Sequence, residues 1–595
     1  MVIDPLPWGL SIILHRVFMF NRYFQEELSY LKDLAVVFAK EHPALAPMLS
    51  GPTADPDVER LLEGVAFLTA LLREKLEDEF PEVVHELMQL IWPHYLRPIP
   101  CTTIVAFRPK PALKQPLVVP PGTYLASVPI EGTSCLFRTC YEVQLHPLEL
   151  IEARYEERAG AAPRIVITFE LKGMKLSDWE PTSLRLYLAN DYASASNLYM
   201  LLRRNVRKVH FRPLEEGTSF TQGPEAILPV GFGTHEGLLP YPSNSYPGYR
   251  LFQEYFILPE KYLFLDISGL DGWKNKGDGS KFEVSFELDS TPSYTPRIRQ
   301  DSFQLFATPV VNIFPHEADP IRLDHKKTEY LVNPAATNAS HYQVYSVEEV
   351  VGYVQGTAEQ RIYRPFDLFT TERDETPVYH VKWKRTPVKR GIDVYLSVAY
   401  PPSARPPTLE TLSISLLCTN GALPEGLQLG DIREPTSTSP EFASFANIRP
   451  LTANILPPLG SNLLWQLIAH LSLNYLSLAS AENLRSLLQL YVFTESRDRP
   501  TVLANQKRIS AIESVEARPV DRIVRGIMMR GQEIMMRMRS DHFAGDGDLF
   551  LFGCVLDQFL GGYAAINSFT KLSIEESLKG ELYQWPARLG DRLLL

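Results

Sequence analysis

What this sequence lacks narrows its chemistry before any fold is considered. Its five cysteines, Cys101, Cys135, Cys140, Cys418 and Cys554, are odd in number and irregular in spacing, and no CxxC pair occurs. Disulfide frameworks and zinc sites need even or clustered thiols, so reduced, buried thiols in a cytoplasmic protein are expected. There is no GxxxxGK[ST] phosphate loop, no GxSxG elbow and no HExxH helix. Gly231-Phe232-Gly233 is followed by Gly237, not by a glycine three places on, and so fails as a dinucleotide fingerprint. Near the N-terminus, Trp8 to Phe20 is interrupted by His15 and Arg16 and falls short of the about 20 apolar residues of a bilayer span. No basic stretch precedes it, as a secretory signal would require. A basic excess is lacking as well. The net charge is −11, which disfavours a body that coats nucleic acid. No internal repeat is visible, which excludes solenoids and propellers.

What is present reads as α+β and multidomain. At about 100–200 residues per domain, 595 residues make three or four. Residues 1–97 read as an N-terminal helical bundle. Phe24, Leu28, Leu31, Ala35 and Phe38 form one apolar stripe, closed by Pro43 and Pro47. Asp55-Pro56-Asp57 looks like a helix start, and Val58, Leu61, Val65, Leu68, Leu72 and Leu76 follow as a second stripe. Phe80-Pro81 reads as the start of a third helix, through Val84, Leu87 and Ile91. A few exposed leucines would drive association, since burying each contributes about 1.5–3 kcal/mol. The stripes from Phe24 to Phe38 and from Val58 to Leu72 are therefore the candidate partner interface.

From Arg97 the character changes. Residues 98–290 read as a β-rich domain with helical insertions, with strands at 102–107, 117–119, 165–171, 184–188, 262–267 and 282–288 and a short helix at 197–202. Pro229 to Pro259 reads as a long proline- and tyrosine-rich connection. Residues 291–450 read as a mixed β-rich domain and 451–595 as an α+β C-terminal domain, with helices at 463–477 and 481–491. In the last of these, Glu533, Met535, Arg537 and Arg539 share one strand face, and Ile534, Met536 and Met538 the other.

Four clusters could carry chemistry. His316, Glu317 and Asp319, with Asp324 and His325 beyond, have the residue types of a divalent-metal hydrolase site but no regular element to align them, so a polar turn is the simpler account. Arg203, Arg204, Arg207 and Lys208 could meet nucleic acid, or form a solvated helix end. Asp546 and Asp548 lie between glycines and read as a tight hairpin turn. Met528, Met529, Met535, Met536 and Met538 crowd one stretch, as core or as an adaptable partner surface.

One resemblance spans nearly the whole chain. Its residues are Tyr23-Phe24-Gln25-Glu26-Glu27-Leu28, Asp57-Val58-Glu59-Arg60-Leu61-Leu62-Glu63-Gly64, Glu79-Phe80-Pro81 and Pro93-His94-Tyr95-Leu96. In the middle come Pro229-Val230-Gly231-Phe232, Leu239-Pro240-Tyr241-Pro242, Pro247-Gly248-Tyr249-Arg250-Leu251, Glu254-Tyr255-Phe256, Asn312-Ile313-Phe314-Pro315-His316 and Tyr345-Ser346-Val347. Towards the C-terminus are His470-Leu471-Ser472-Leu473-Asn474, Leu551-Phe552-Gly553, Ile566-Asn567-Ser568-Phe569-Thr570 and Trp585-Pro586 with Arg588. In this order they resemble the TssF family, also called VasA or ImpG, of the type VI secretion baseplate. The resemblance implies a structural wedge protein with no catalysis and no cofactor. It implies partners in TssG, a second TssF copy, TssK and TssE, with the VgrG hub and spike and the inner-membrane complex nearby. It implies a cytoplasmic place, docked at the inner face of the membrane through the baseplate, without direct membrane insertion or nucleic acid. Residues 1–18 precede the resemblance and read as an extension or as lying before a start at Met19.

Overall fold

The structure, a computed structural model, describes residues 24–25, 27–38, 56–157, 160–241, 246–290, 297–356, 358, 360–366, 376–386, 391–400, 409–459, 480–494, 496–524, 527–564 and 568–589. The chain divides into two units: Met1–Ile91 with Trp383–Asp393 and Leu459–Leu467, and Trp92–Lys382 with Val394–Pro458 and Ile468–Leu595.

In the first unit, helix α1 spans 27–38 and helix α2 spans Pro56–Ile91. Pro56 occupies the first turn, where a missing N–H costs nothing, and Asp57 and Glu59 face the positive dipole end. The break expected at Phe80-Pro81 is corrected: α2 passes through Pro81 as one 36-residue helix. An internal proline costs about 3 kcal/mol, but the segments on both sides of it are dense in good helix formers, Leu and Glu. The described residues thus hold two helices where the sequence suggests three.

The second unit is built on sheets whose strands come from distant parts of the chain. One six-stranded sheet runs in the order Ile432–Glu434, Tyr124–Ser127, Leu136–Thr139, Ala307–Val311, Thr102–Pro109, Ala443–Asn447. Every residue of Ala307–Val311 is buried, as befits a central strand. A second sheet orders Phe220–Gln222, Val206–Pro213, Lys281–Leu288, Arg164–Leu171 and Leu148–Glu156. A third orders Ile227–Pro229, Phe264–Ser268, Ser183–Leu188 and Phe303–Leu305. Another rests on the long antiparallel pair Gln343–Val354 and Glu410–Thr419. Helix α3 covers Tyr192–Arg204, capped by the Asp191 carboxylate, which accepts from Ser194 N.

The expected connection from Pro229 to Pro259 is corrected in one respect. It contains helix α4, Gly248–Ile257, whose ten residues are all buried. Its polar residues, Arg250, Gln253 and Glu254, share one face but are buried like the rest, so no solvent-facing side marks the helix. The helix expected at 463–477 lies outside the described residues. Helices α5 (Ala481–Leu490), α6 (Arg499–Ser510) and α7 (Asp546–Tyr563) complete the C-terminal part. The turn expected at Asp546 and Asp548 is corrected too: both lie in the first turn of α7, where carboxylates suit the helix dipole. Strand Ile527–Met538 pairs antiparallel with Ile512–Val524 and parallel with Ser568–Glu576. The parallel pairing needs a crossover, and α7 lies within it. The two faces expected for this strand are found. Ile534, Met536 and Met538 are buried, Glu533 and Met535 are half-buried and Arg537 is exposed.

Two buried polar centres fix these elements. Asp548, fully buried, accepts from Tyr192 Oη at 2.6 Å, Tyr255 Oη at 2.9 Å, Arg508 Nε and Nη2 at 3.0 Å and Ala544 N at 3.1 Å. Arg508 also donates to Asn505 Oδ1 at 2.8 Å, and Asn505 Nδ2 donates to Phe256 O at 2.9 Å. One carboxylate thus ties α3, α4, α6 and α7. The second centre is the ion pair between Lys261 and Glu254, both wholly buried. Glu254 Oε1 accepts from Leu238 N at 2.6 Å, and Lys261 Nζ donates to Glu236 O at 3.0 Å. Gly231 sits beside it at φ 102°, where a Cβ would meet Tyr141 Oη at 2.8 Å and Lys261 O at 2.9 Å.

Removing one partner of a buried pair leaves an uncompensated charge. Asp548→Ala is therefore expected to lower stability by about 3–5 kcal/mol, and Asp548→Leu with Arg508→Met to recover part of that, read from urea unfolding followed by tryptophan fluorescence. A second expectation concerns pH. His146 is 4 % exposed, its ring stands edge-on to Trp179 at 5.8 Å, and neither ring nitrogen has a hydrogen-bond partner among the described residues. Burial pulls its pKa down to about 4. The unfolded imidazole takes its proton near pH 6.5 and the folded one only near pH 4. The unfolded state thus binds more protons between these values, and stability falls on acidification through that window. Between pH 7 and 5 the loss is about 2 kcal/mol, and His146→Phe should remove it from the urea midpoint.

Candidate interaction surface

The two stripes read from the sequence meet different fates. On α1, Leu28 and Leu31 are half-buried and Ala35 is buried; Phe24, in the helical turn just before it, is half-buried too. Phe38 is exposed. That stripe is mostly turned inward. The apolar residues left in the open are Tyr30, Leu34 and Val37, at spacings of four and three, together with Val36. This second stripe was missed because the first satisfied the helical period; the same period read from Tyr30 would have found it.

On α2 the stripe from the sequence is the open one. Leu61 is 69 % exposed, Leu68 and Leu72 are 62 % exposed and Val65 is 41 % exposed, while Val58 is half-buried. The side that is covered carries small residues, Ala66 and Ala70, both fully buried. Phe67 and Leu71, a quarter-turn or so away, are exposed as well. Between Leu61 and Leu72 the small residues are inside and the large apolar ones outside, the reverse of the usual pattern of a surface helix. Side chains of this size in water favour association strongly. The ion pair of Lys32 Nζ with Glu59 Oε1 at 3.0 Å joins α1 to α2, but at half exposure it contributes little.

The chemical candidates are dispersed. His316 stacks on Tyr342 at 4.7 Å and its Nε2 donates to Ala335 O at 2.9 Å. Glu317 accepts from Ser415 Oγ at 3.2 Å, Asp319 is exposed, and Asp324 accepts from Lys326 N and Tyr330 Oη, each at 3.1 Å. Among the described residues no three His, Cys, Asp or Glu side chains gather as a metal set. Arg203 donates to Ile227 O, and Arg204 pairs with Glu581 and lies 4.8 Å over the Tyr583 ring. Two of the four basic residues are thus engaged within the chain, and Arg207 and Lys208 remain exposed. No helix among the described residues is long and apolar enough to cross a membrane.

Comparison with known proteins decides what these surfaces belong to. The sequence model described as "Type VI secretion system, TssF" matches residues 19–592. The chain belongs to the TssF family, whose members are baseplate proteins of type VI secretion. It is 31 % identical to the type VI secretion system component TssF1 of Pseudomonas aeruginosa, over 96 % of this chain and 98 % of that protein. A chain of a TssK-TssF-TssG baseplate subcomplex solved by cryo-electron microscopy is 29 % identical, with a TM-score of 0.76, covering 90 % of this chain and 99 % of that one. A chain of the type VI baseplate complex is 27 % identical, with a TM-score of 0.60, covering 97 % and 100 %.

The residues that carried the TssF resemblance are mostly interior. Tyr249, Arg250, Leu251, Glu254, Tyr255 and Phe256 are buried in α4, and Val230 is buried at the Glu254–Lys261 centre. Trp585 covers Gly553, where a Cβ would come within 2.3 Å of its ring. Most of the exceptions lie on α2, where Leu61 and Gly64 are among the exposed residues. Because Leu61 and Leu68 are largely exposed among the described residues, Leu61→Ser with Leu68→Ser should shift the stability of the chain by no more than about 0.5 kcal/mol. Ala70→Leu, which forces bulk into a covered side, should cost about 1–3 kcal/mol. Urea unfolding of the purified chain separates the two.

Proposed function

We propose that this TssF chain acts as a structural part of the baseplate wedge, and that it enters the wedge through α1 and α2. The observation that carries the reading is the uncovered row Leu61, Val65, Leu68 and Leu72 on a 36-residue helix. In this reading the row, with Tyr30, Leu34 and Val37 of α1, is completed by helices of TssG and of a second TssF copy into an intersubunit bundle. The inward stripe of Phe24, Leu28, Leu31 and Ala35 holds α1 in place, so the earlier interface set divides between the two jobs. TssK and TssE join the same wedge, the VgrG hub and spike lie at its centre, and the assembled baseplate sits in the cytoplasm against the inner-membrane complex. The β-rich part supplies arms between neighbouring wedges. The action is burial and hydrogen bonding, not catalysis. A permanent interface buries about 2,000 Å² or more, which an extended helix about 54 Å long, at 1.5 Å per residue, can supply with several partners.

The test replaces surface leucines that the fold does not need. Leu61→Asp with Leu68→Asp should abolish co-purification of TssG with the tagged chain while circular dichroism and solubility stay unchanged. Undiminished recovery of TssG with a folded double variant would refute the role given to α2.

A further inference from the structure

The methionine-rich hairpin in the C-terminal part is only half absorbed into the core. Its strands, Ile512–Val524 and Ile527–Met538, stay paired to the last residues, Ile523 opposite Met528 and Val524 opposite Ile527. The third strand of the sheet begins opposite Arg530, at Ser568. Beyond that point, among the described residues, the hairpin continues as a two-stranded ribbon.

On the covered face, alternate residues run Met538, Met536 and Ile534 and are buried. Continued outward at the same period, that face passes half-buried Gln532 and exposed Arg530 and then reaches Met528, with Ile523 across from it, and each of this last pair is 74 % exposed. The face that begins apolar in the core is thus polar at two positions and ends in an exposed apolar cross-strand pair. Cross-strand neighbours on one face lie within contact distance, so the two make a single apolar tip. Methionine and isoleucine together give a tip that is compliant on one side and stiff on the other.

The charge around the tip is opposite in sign to that of the chain. Arg518, Arg522 and Arg530 are exposed beside it, against Asp521 alone in the same stretch, in a protein of net charge −11. Arg518 pairs with Glu516 at 2.9 Å. Arg522 lies 5.9 Å over the Phe569 ring and within electrostatic reach of Glu533, and Arg530 stands opposite Asp521, but neither arginine makes an ion pair among the described residues. Among the described residues, Ile512–Val524 is also the edge strand of its sheet. That edge is interrupted by Pro519 and lined by Glu513, Glu516 and Arg518, features that oppose addition of another strand. Engagement therefore goes through the side chains of the tip.

From these observations we infer that the ribbon tip, Ile523 and Met528 flanked by Arg522 and Arg530, is a docking element for an acidic protein surface: an apolar notch rimmed by carboxylates on another subunit of the assembly. The notch takes the two apolar side chains, and carboxylates on its two walls take the guanidiniums of Arg530, on the same face, and Arg522, on the opposite one, binding them bidentately and selecting against a basic surface. The site is independent of the α2 row. Its loss should leave the wedge intact and impair the step that joins the wedge to its neighbours.

The test uses the full chain expressed with its baseplate partners. The variants are Ile523→Thr with Met528→Gln, mild changes for a strand in water, and separately Arg522→Glu with Arg530→Glu. Each pair should reduce incorporation into assembled baseplates at least tenfold while TssG co-purification is unchanged. Benzoylphenylalanine at position 523, photolysed in the assembled complex, should yield an adduct to a peptide of another chain bearing Asp or Glu. Full incorporation of both folded variants would overturn the inference. So would an adduct to a basic or uncharged peptide, or no adduct to another chain. Parent protein that sediments with phosphatidylglycerol vesicles and variants that do not would also overturn it, by making the occupant a bilayer. Loss of TssG along with incorporation would place the defect in the wedge and count against a separate docking role.

Discussion

The C-terminal half of the molecule depends on one charge held away from water. Asp548 stands at the first turn of α7, where the helix dipole favours it, and it receives two phenols, one guanidinium and one backbone amide. No single one of these would balance the desolvation of a carboxylate, which amounts to several kcal/mol. Together they do, and only if four helices stand in one arrangement. The close approach of α3 to α7 is part of the same device. Gly547 leaves no room for a Cβ, which would lie 2.3 Å from Ser196 O, and its N–H donates to Asn197 Oδ1 at 2.8 Å. The network makes the fold specific more than it makes it stable, because an apolar core of equal volume would hold as well without dictating where α3 must lie.

This explains which parts of the fold were legible in the sequence. Strands such as Arg164–Leu171 and Lys281–Leu288, and the two faces of Ile527–Met538, follow from local alternation, and the structure has them. Three local features were misread for three physical reasons. Pro81 is a helix breaker in isolation but lies within a long run of helix formers. Helix α4 has a polar side, Arg250, Gln253 and Glu254, but it lies between proline- and tyrosine-rich flanks and is buried on every side. Gly545 to Asp548 has turn composition, yet its carboxylates stand in the first turn of a helix, and Asp548 anchors that helix to its neighbours. What no local pattern could supply is partner choice. Thr102–Pro109 sits between Ala307–Val311 and Ala443–Asn447, and the side chains that decide this are as apolar as those of any other buried strand.

The same logic applies to the surfaces. A helical period tells which residues share a face; it does not tell which face is covered. On α1 the first stripe found is the inner one, and on α2 it is the outer one. Only residue size hints at the difference. Ala66 and Ala70 let a neighbour approach closely, and a chain that covers α2 on its alanine side leaves the bulky side to others.

A subunit built to be completed by others must keep apolar rows in water until they arrive. Two properties make this tolerable here. The rows lie on regular elements whose backbone hydrogen bonds are already satisfied, so exposure costs solvation but not order. The net charge of −11 opposes indiscriminate self-association. The arginines at the ribbon tip then have a definite meaning. On an acidic protein, a basic apolar tip invites its own chain's acidic surfaces as readily as a partner's, so charge alone cannot select the target. Selection has to come from the fit of Ile523 and Met528 into a notch, with the guanidiniums setting orientation and rate of encounter. On that account the apolar pair governs how long the joint lasts, and the arginines govern how fast it forms and how steeply salt weakens it.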